Sequence, residues 1–187
     1  MIELPKVVLA SGSPRRAEIL RTVAWPFEAL PVDIDESRRP DEDASNYVQR
    51  LAREKAEAAA VLRRGQIIVG ADTTVIIDGQ VLEKPTDKAD ATRMLRLLNN
   101  RWHKVLTGVA VISRQTIVAH QETEVKFAAM SDSDIRWYVE TGEPMDKAGG
   151  YAIQGVGARL IEEIRGDYFN VVGLPVRLLY ELVTRSL

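Results

Sequence analysis

"IIVGADTTVIIDGQVLEKP", residues 67–85, carries the pattern that decides the fold class. Its opening aliphatic run, Ile67–Val69, is short and β-branched, which reads as a buried strand that breaks at Gly70. Asp78-Gly79 suits a tight hairpin turn, so the segment predicts two strands joined there. Helical spacing flanks the pair, from about Asn46 to Arg64 before it and over residues 88–99 after it. Toward the N-terminus, a strand at Lys6–Ala10 leads into a helix from about Pro14 to Val23, then a strand around Glu28–Val32. Toward the C-terminus, residues 105–127 alternate as two long antiparallel strands, and "SDSD" at 131–134 matches a capping box opening a helix that Gly142 ends. A Gly-rich segment, 148–157, precedes another strand-like stretch; residues 166–176 read as a loop and a short buried strand before a closing helix from about Pro175. Strand and helix patterns that alternate in this way predict an α/β protein.

With 187 residues the chain fits one domain, or one domain with a modest lobe, and can bury a substantial core. A formal net charge of −2 leaves no bulk attraction for nucleic acid or an anionic membrane, so any phosphate binding has to come from local clusters. The absence of cysteine removes disulfides, thiolate catalysis and Cys-ligated zinc together. His103 and His120 lack metal-ligand spacing, and neither reads as catalytic. No apolar run approaches the length of a membrane span and no signal-peptide pattern opens the chain, so the expected location is the cytoplasm.

Local clusters do exist. "LASGSPRR", residues 9–16, puts Ser11, Ser13, Arg15 and Arg16 on a strand-to-helix turn. Helix N-termini favour anions, and paired arginines strengthen that preference. Ser13 as N-cap and Pro14 at the first helical position would make an ordinary helix start, which leaves Ser11, Gly12 and the arginine pair unexplained. In the long helix, Val48, Ala52, Lys55, Ala59 and Leu62 form a stripe toward the core with Lys55 in its middle. A lysine there either snorkels to solvent or meets an anion. Asp72 follows Gly70-Ala71, placed either as a metal ligand or general base at a sheet edge, or as an acid bonding turn backbone. Asp33, Asp35 and Glu36 cluster in the acidic loop that follows the second predicted strand, and two or three such carboxylates beside a phosphate site would suffice for a hard divalent cation. The rest of that loop, "RRPDEDAS", reads as solvated surface. Lys84 lies in extended backbone before Pro85, where it either contacts phosphate or faces solvent. Gln154, beside the glycines of "DKAGGYAIQG", offers the donor and acceptor that reading a base edge requires, although a Gly-rich turn needs no ligand. These residues together point to a phosphate-ester or nucleotide enzyme using a divalent metal.

"SGSPRR", "GADTTV", "EKPTD", "TEVKF", "DKAGGYAIQG" and "VVGLPV", in this order from Leu9 to Val176, closely resemble the motifs of the Maf family of nucleoside triphosphate pyrophosphatases. The resemblance implies cleavage between the α and β phosphates, giving a nucleoside monophosphate and pyrophosphate. It implies an elongated mixed α/β fold with a cleft between two lobes, similar to inosine triphosphate pyrophosphatases, in one domain over 1–187. It further implies a divalent cofactor (Mg, Mn or Co), a nucleoside triphosphate substrate and a homodimer. By the same resemblance Asp72 is the proton acceptor, Lys55 and Lys84 complete the cation set, and Glu36 joins Asp72 near the metal. Ser11, Ser13, Arg15 and Arg16 hold the triphosphate, while Arg15, Thr73 and Gln154 match positions tied to specificity. The Gly-rich segment resembles that of the branch acting on dTTP, UTP and some modified uridine nucleotides. The branch hydrolysing 7-methyl-GTP has a Cys-Ala-Gly-Ser-type segment there, and this chain has no cysteine. The family is also associated with inhibition of septum formation, which makes a binding role in cell division the competing reading.

Overall fold

A computed structural model of the chain describes residues 4–187. The chain runs β1 (Val7–Ala10), α1 (Pro14–Thr22), β2 (Phe27–Ala29), α2 (Ala44–Leu62), β3 (Ile67–Ile77), β4 (Gln80–Leu82), α3 (Lys88–Leu98), β5 (Trp102–Ile112) and β6 (Thr116–Phe127). It continues through α4 (Asp132–Glu140), three short helical turns (Glu143–Asp146, Ala148–Gly150, Val156–Leu160), β7 (Ile161–Arg165), α5 (Tyr168–Val172) and α6 (Val176–Ser186). The strands join in one mixed sheet of order β2-β1-β3-β5-β6-β7, with β4 pairing β3. β1 is parallel to both neighbours, Leu9 lying opposite Ala29 and Val69, whereas β3/β4 and β6/β7 are antiparallel. The α/β class read from the sequence is the one found.

The chain forms two compact units. One comprises the segment ending at Asp72 with Thr107–Gln121 and Gly173–Leu187, the other Thr73–Leu106 with Glu122–Val172. In the first unit, α2 lies against the sheet through small side chains: Ala52, Ala56 and Ala59 pack with Val8, Ala10, Ile68 and Ala110. Two glycines set how close it comes. A Cβ on Gly70 would lie 2.0 Å from the Ala52 carbonyl oxygen, and one on Gly108 would lie 2.2 Å from that of Val48. Gly70 is therefore not a strand break, because β3 runs unbroken from Ile67 to Ile77. Nor does Asp72 stand at a sheet edge, since β3 lies between β1 and β5.

The second unit has its own core, in which Val75, Leu95, Leu98, Phe127, Ile135, Tyr138 and Tyr151 are buried. Asp87 caps α3 by accepting from the Asp90 N–H, and Ser131 and Asp134 complete the capping box of α4 that the sequence predicts. Asp78 and Gly79 both adopt positive φ between β3 and β4, the conformation a two-residue hairpin turn requires. His103 is a core residue. Its Nε2 stands 2.7 Å from the Tyr151 hydroxyl, and its ring meets Phe127 edge-on. Burial pushes the imidazole down to about 4, with the Arg101 backbone partly opposing.

Several local expectations change. β2 is Phe27–Ala29 rather than Glu28–Val32, because only those residues pair with β1. The stretch read as a short buried strand near residue 170 is the helix α5. Leu62, placed in the core stripe of α2, is exposed, because the helix ends there. Ser13 stands at the N-cap of α1, yet its side chain makes no capping bond; the Ser13 N–H donates instead to Ser11 Oγ.

Candidate active site

The turn after β1 is organised by Ser11. Its buried hydroxyl accepts from the Ser13 N–H and from Arg16 Nη1, each at 3.1 Å. Arg16 is itself buried, and its Nε donates to the Gly173 carbonyl at 2.7 Å, which joins α1 to the segment before α6. Burial lowers the proton affinity of this guanidinium, Asp72 opposes that, Arg15 adds to it and Glu36 opposes it again. Arginine stays charged regardless. The two arginines therefore differ in setting: Arg16 is buried in the fold, while Arg15 is half-buried on the first turn of α1.

The lysine in the apolar stripe of α2 meets anions. Lys55 is 8% exposed, and its Nζ lies 2.7 Å from Asp72 Oδ1 and 2.6 Å from Glu36 Oε1. The Gly70–Ala52 approach makes this possible: it brings α2 near enough to β3 for a residue one turn beyond Ala52 to reach Asp72. Asp72 is buried, whereas the Glu36 side chain is about half exposed. One cation thus gathers two carboxylates from different parts of the chain.

"RRPDEDAS" is mostly exposed, as read, but the loop carrying Glu36 is also latched from α2. Tyr47 donates its hydroxyl to the Glu36 carbonyl at 3.0 Å, and Arg50 Nη2 donates to the Ser37 carbonyl at 3.0 Å. Arg50 also grips Glu42 in a two-point pair, at 2.6 and 2.8 Å, and reaches Glu54. That pairing holds the Glu42 carboxyl at about 2. Of this latch, the i,i+4 spacing of Arg50 and Glu54 is the one signal the sequence carries. Asp33 and Asp35 are exposed, and Asp35 accepts from the Ser37 N–H. Among the described residues no three acidic or histidine side chains gather as a metal group.

The remaining sequence candidates lie in the second unit. Thr73 is half-buried on β3, Lys84 is exposed ahead of Pro85, and Gln154 is exposed on the loop before the last short helical turn. Gly149 and Gly150 both adopt positive φ, and the Gly149 N–H donates to the Glu83 carbonyl at 3.1 Å, so this pair forms a turn beside the Lys84 segment.

The sequence matches the Maf-like protein family model over residues 6–186. The chain belongs to the Maf family. A dTTP/UTP pyrophosphatase of Symbiobacterium thermophilum is 50% identical over 183 residues, covering 97% of this chain and 94% of the relative. A dTTP/UTP pyrophosphatase of Salmonella typhimurium is 50% identical over 178 residues, covering 94% and 90%. Among solved structures, the Ham1 protein of Staphylococcus aureus superposes with a TM-score of 0.54 at 13% identity, covering 97% of this chain and all of that one, which is a likeness of fold. Among the described residues no helix is long and apolar enough to cross a membrane.

Proposed function

We propose that this chain hydrolyses dTTP and UTP to the nucleoside monophosphate and pyrophosphate, by attack of water on the α-phosphorus. The specificity rests on the two relatives of that name, each half identical over nearly the whole chain. The chemistry rests on one observation: the Lys55 ammonium bridges Asp72 and Glu36. Lys55 orients the Asp72 carboxylate through the 2.7 Å contact to Oδ1, the placement a general base needs. Asp72 takes a proton from water as its oxygen bonds to the α-phosphorus; the bond from that phosphorus to the bridging oxygen breaks, and pyrophosphate leaves with the electron pair. The turn Ser11–Arg16 and Lys84 supply donors and positive charge to the phosphates, and Arg15, Thr73 and Gln154 select the pyrimidine nucleotide.

Two carboxylates converging on the single Lys55 ammonium are the oxygen donors a hard divalent ion takes. Glu36 and Asp72 would hold Mg, Mn or Co, and the ion would neutralise phosphate charge and polarise the attacked phosphorus. The reading takes residues 1–187 to work as one pyrophosphatase domain, as a homodimer in the cytoplasm. Product analysis on dTTP, UTP, CTP, GTP and 7-methyl-GTP, with and without each metal, tests it. Metal-dependent monophosphate from dTTP and UTP is the expected result. Turnover of 7-methyl-GTP alone overturns the substrate reading, and diphosphate plus phosphate as products overturns the site of attack.

A further inference from the structure

Gln154 stands on a loop whose two sides are tied to one carboxylate. Glu143 Oε2 accepts from the Val156 N–H at 2.9 Å, and Oε1 accepts from the Gly157 N–H at 2.9 Å and from the Tyr138 hydroxyl at 2.8 Å. That hydroxyl in turn accepts from the Ala152 N–H at 3.1 Å. Backbone two residues before Gln154 and two residues after it is thus clamped by a Tyr138–Glu143 pair. The glycines report the same device. Gly155 has φ −101°, open to any residue, so no turn geometry calls for glycine there. A Cβ at Gly155 would lie 2.0 Å from Glu143 Oε2, and one at Gly157 would lie 2.5 Å from the Tyr138 hydroxyl. Both glycines make room for the clamp.

We propose that Glu143 is a positioning residue for pyrimidine selection, holding the 152–157 loop so that the Gln154 amide meets the base edge in one orientation. The inference rests on the reading of Gln154 as the base contact. An exposed glutamine beside glycine has many conformations, and a loop that must be ordered on binding loses affinity to that ordering. Three hydrogen bonds to one carboxylate settle the loop before substrate arrives. Glu143→Gln keeps the shape but puts an N–H where Oε2 accepts from the Val156 N–H, releasing that side of the clamp with little change in volume.

The test is steady-state kinetics on dTTP and CTP with the parent, Glu143→Gln, Gln154→Ala and the double variant, together with amide hydrogen exchange at Val156 and Gly157. The expected result for Glu143→Gln is a KM for dTTP raised about 10- to 100-fold with kcat within about twofold, as loss of one charge-assisted bond implies. Preference for dTTP over CTP falls toward that of Gln154→Ala, exchange at the Val156 amide quickens, and the double variant loses no further preference. An unchanged KM and preference in Glu143→Gln, while Gln154→Ala loses preference, overturns the proposal. So does a loss that repeats in full on the Gln154→Ala background, since Glu143 would then act elsewhere. If Gln154→Ala itself keeps the preference, the base reading of Gln154 fails first and takes the positioning role with it. Should Glu143→Gln not fold, Gly155→Ala displaces the carboxylate by contact and is held to the same expectations.

Discussion

Gly70 on β3 and Ala52 on α2 approach so closely that a methyl group on the glycine would lie 2.0 Å from the alanine carbonyl oxygen. No rotamer relieves a clash with backbone, so Gly70→Ala has to push α2 off the sheet. Overpacking of this kind costs about 1–3 kcal/mol. Urea unfolding is expected to show that loss, and turnover is expected to fall further than stability alone explains, because the Lys55–Asp72 bond spans the same gap. A variant of parental stability and turnover would show that the approach is not needed.

Asp72→Asn separates charge from shape. Lys55 keeps Glu36 as a partner in that variant, so the ammonium is not left unpaired. The fold is expected to stay within about 1 kcal/mol of the parent, while kcat falls at least about 100-fold through loss of a base. Thermal melts and single-turnover assays measure the two quantities, and retained turnover would remove the base assignment.

Lys55→Met takes away the cation that two carboxylates share. Leaving one member of a buried pair uncompensated costs about 3–5 kcal/mol, and here the half-exposed Glu36 can turn toward water and lessen it. Lys55→Met is therefore expected to be less stable than Asp72→Asn, an order that chemical unfolding of the two variants checks.

Arg50→Ala releases the loop that carries Glu36. The arginine is nearly buried, and it serves the Ser37 carbonyl, Glu42 and Glu54 at once. Limited proteolysis is expected to cut within residues 37–43 of the variant, with KM for the nucleotide raised and Asp72 untouched. An uncut loop would show that Tyr47 alone suffices.

Acid sensitivity is expected from the core of the second unit. The buried His103 is held at about 4, below its ordinary 6.5. A depressed basic group means that the unfolded chain binds the proton more readily, so its contribution is complete above about pH 6.5 and is lost as pH falls toward 4. The loss amounts to about 3 kcal/mol at most, from a shift of two to three pKa units. Stability of the parent against His103→Gln, followed from pH 7 to pH 4, should show a steeper fall in the parent. Parallel curves would assign the acid sensitivity elsewhere.

The sequence by itself determined what depends on neighbours along the chain. Strand and helix alternation, the Asp78-Gly79 turn and the Ser131 capping box all follow from spacing and local backbone chemistry. Even Lys55 was legible, because a lysine in an apolar stripe either escapes to solvent or finds an anion, and the odd residue in a regular pattern stands out. What the pattern did not contain was the identity of that anion. Asp72 lies 17 positions from Lys55, and Gly173 lies 157 from Arg16. Pairings at such distance depend on which elements pack, and packing registers in the sequence only as a missing Cβ. Gly70 thus reads as a strand break and Gly155 as one more glycine of a Gly-rich segment, although each makes room for another part of the chain. The elements were set locally by dihedral preference and hydrophobic period; tertiary structure chose their partners, because close approach and buried charge pairing arise only when distant segments exclude water together.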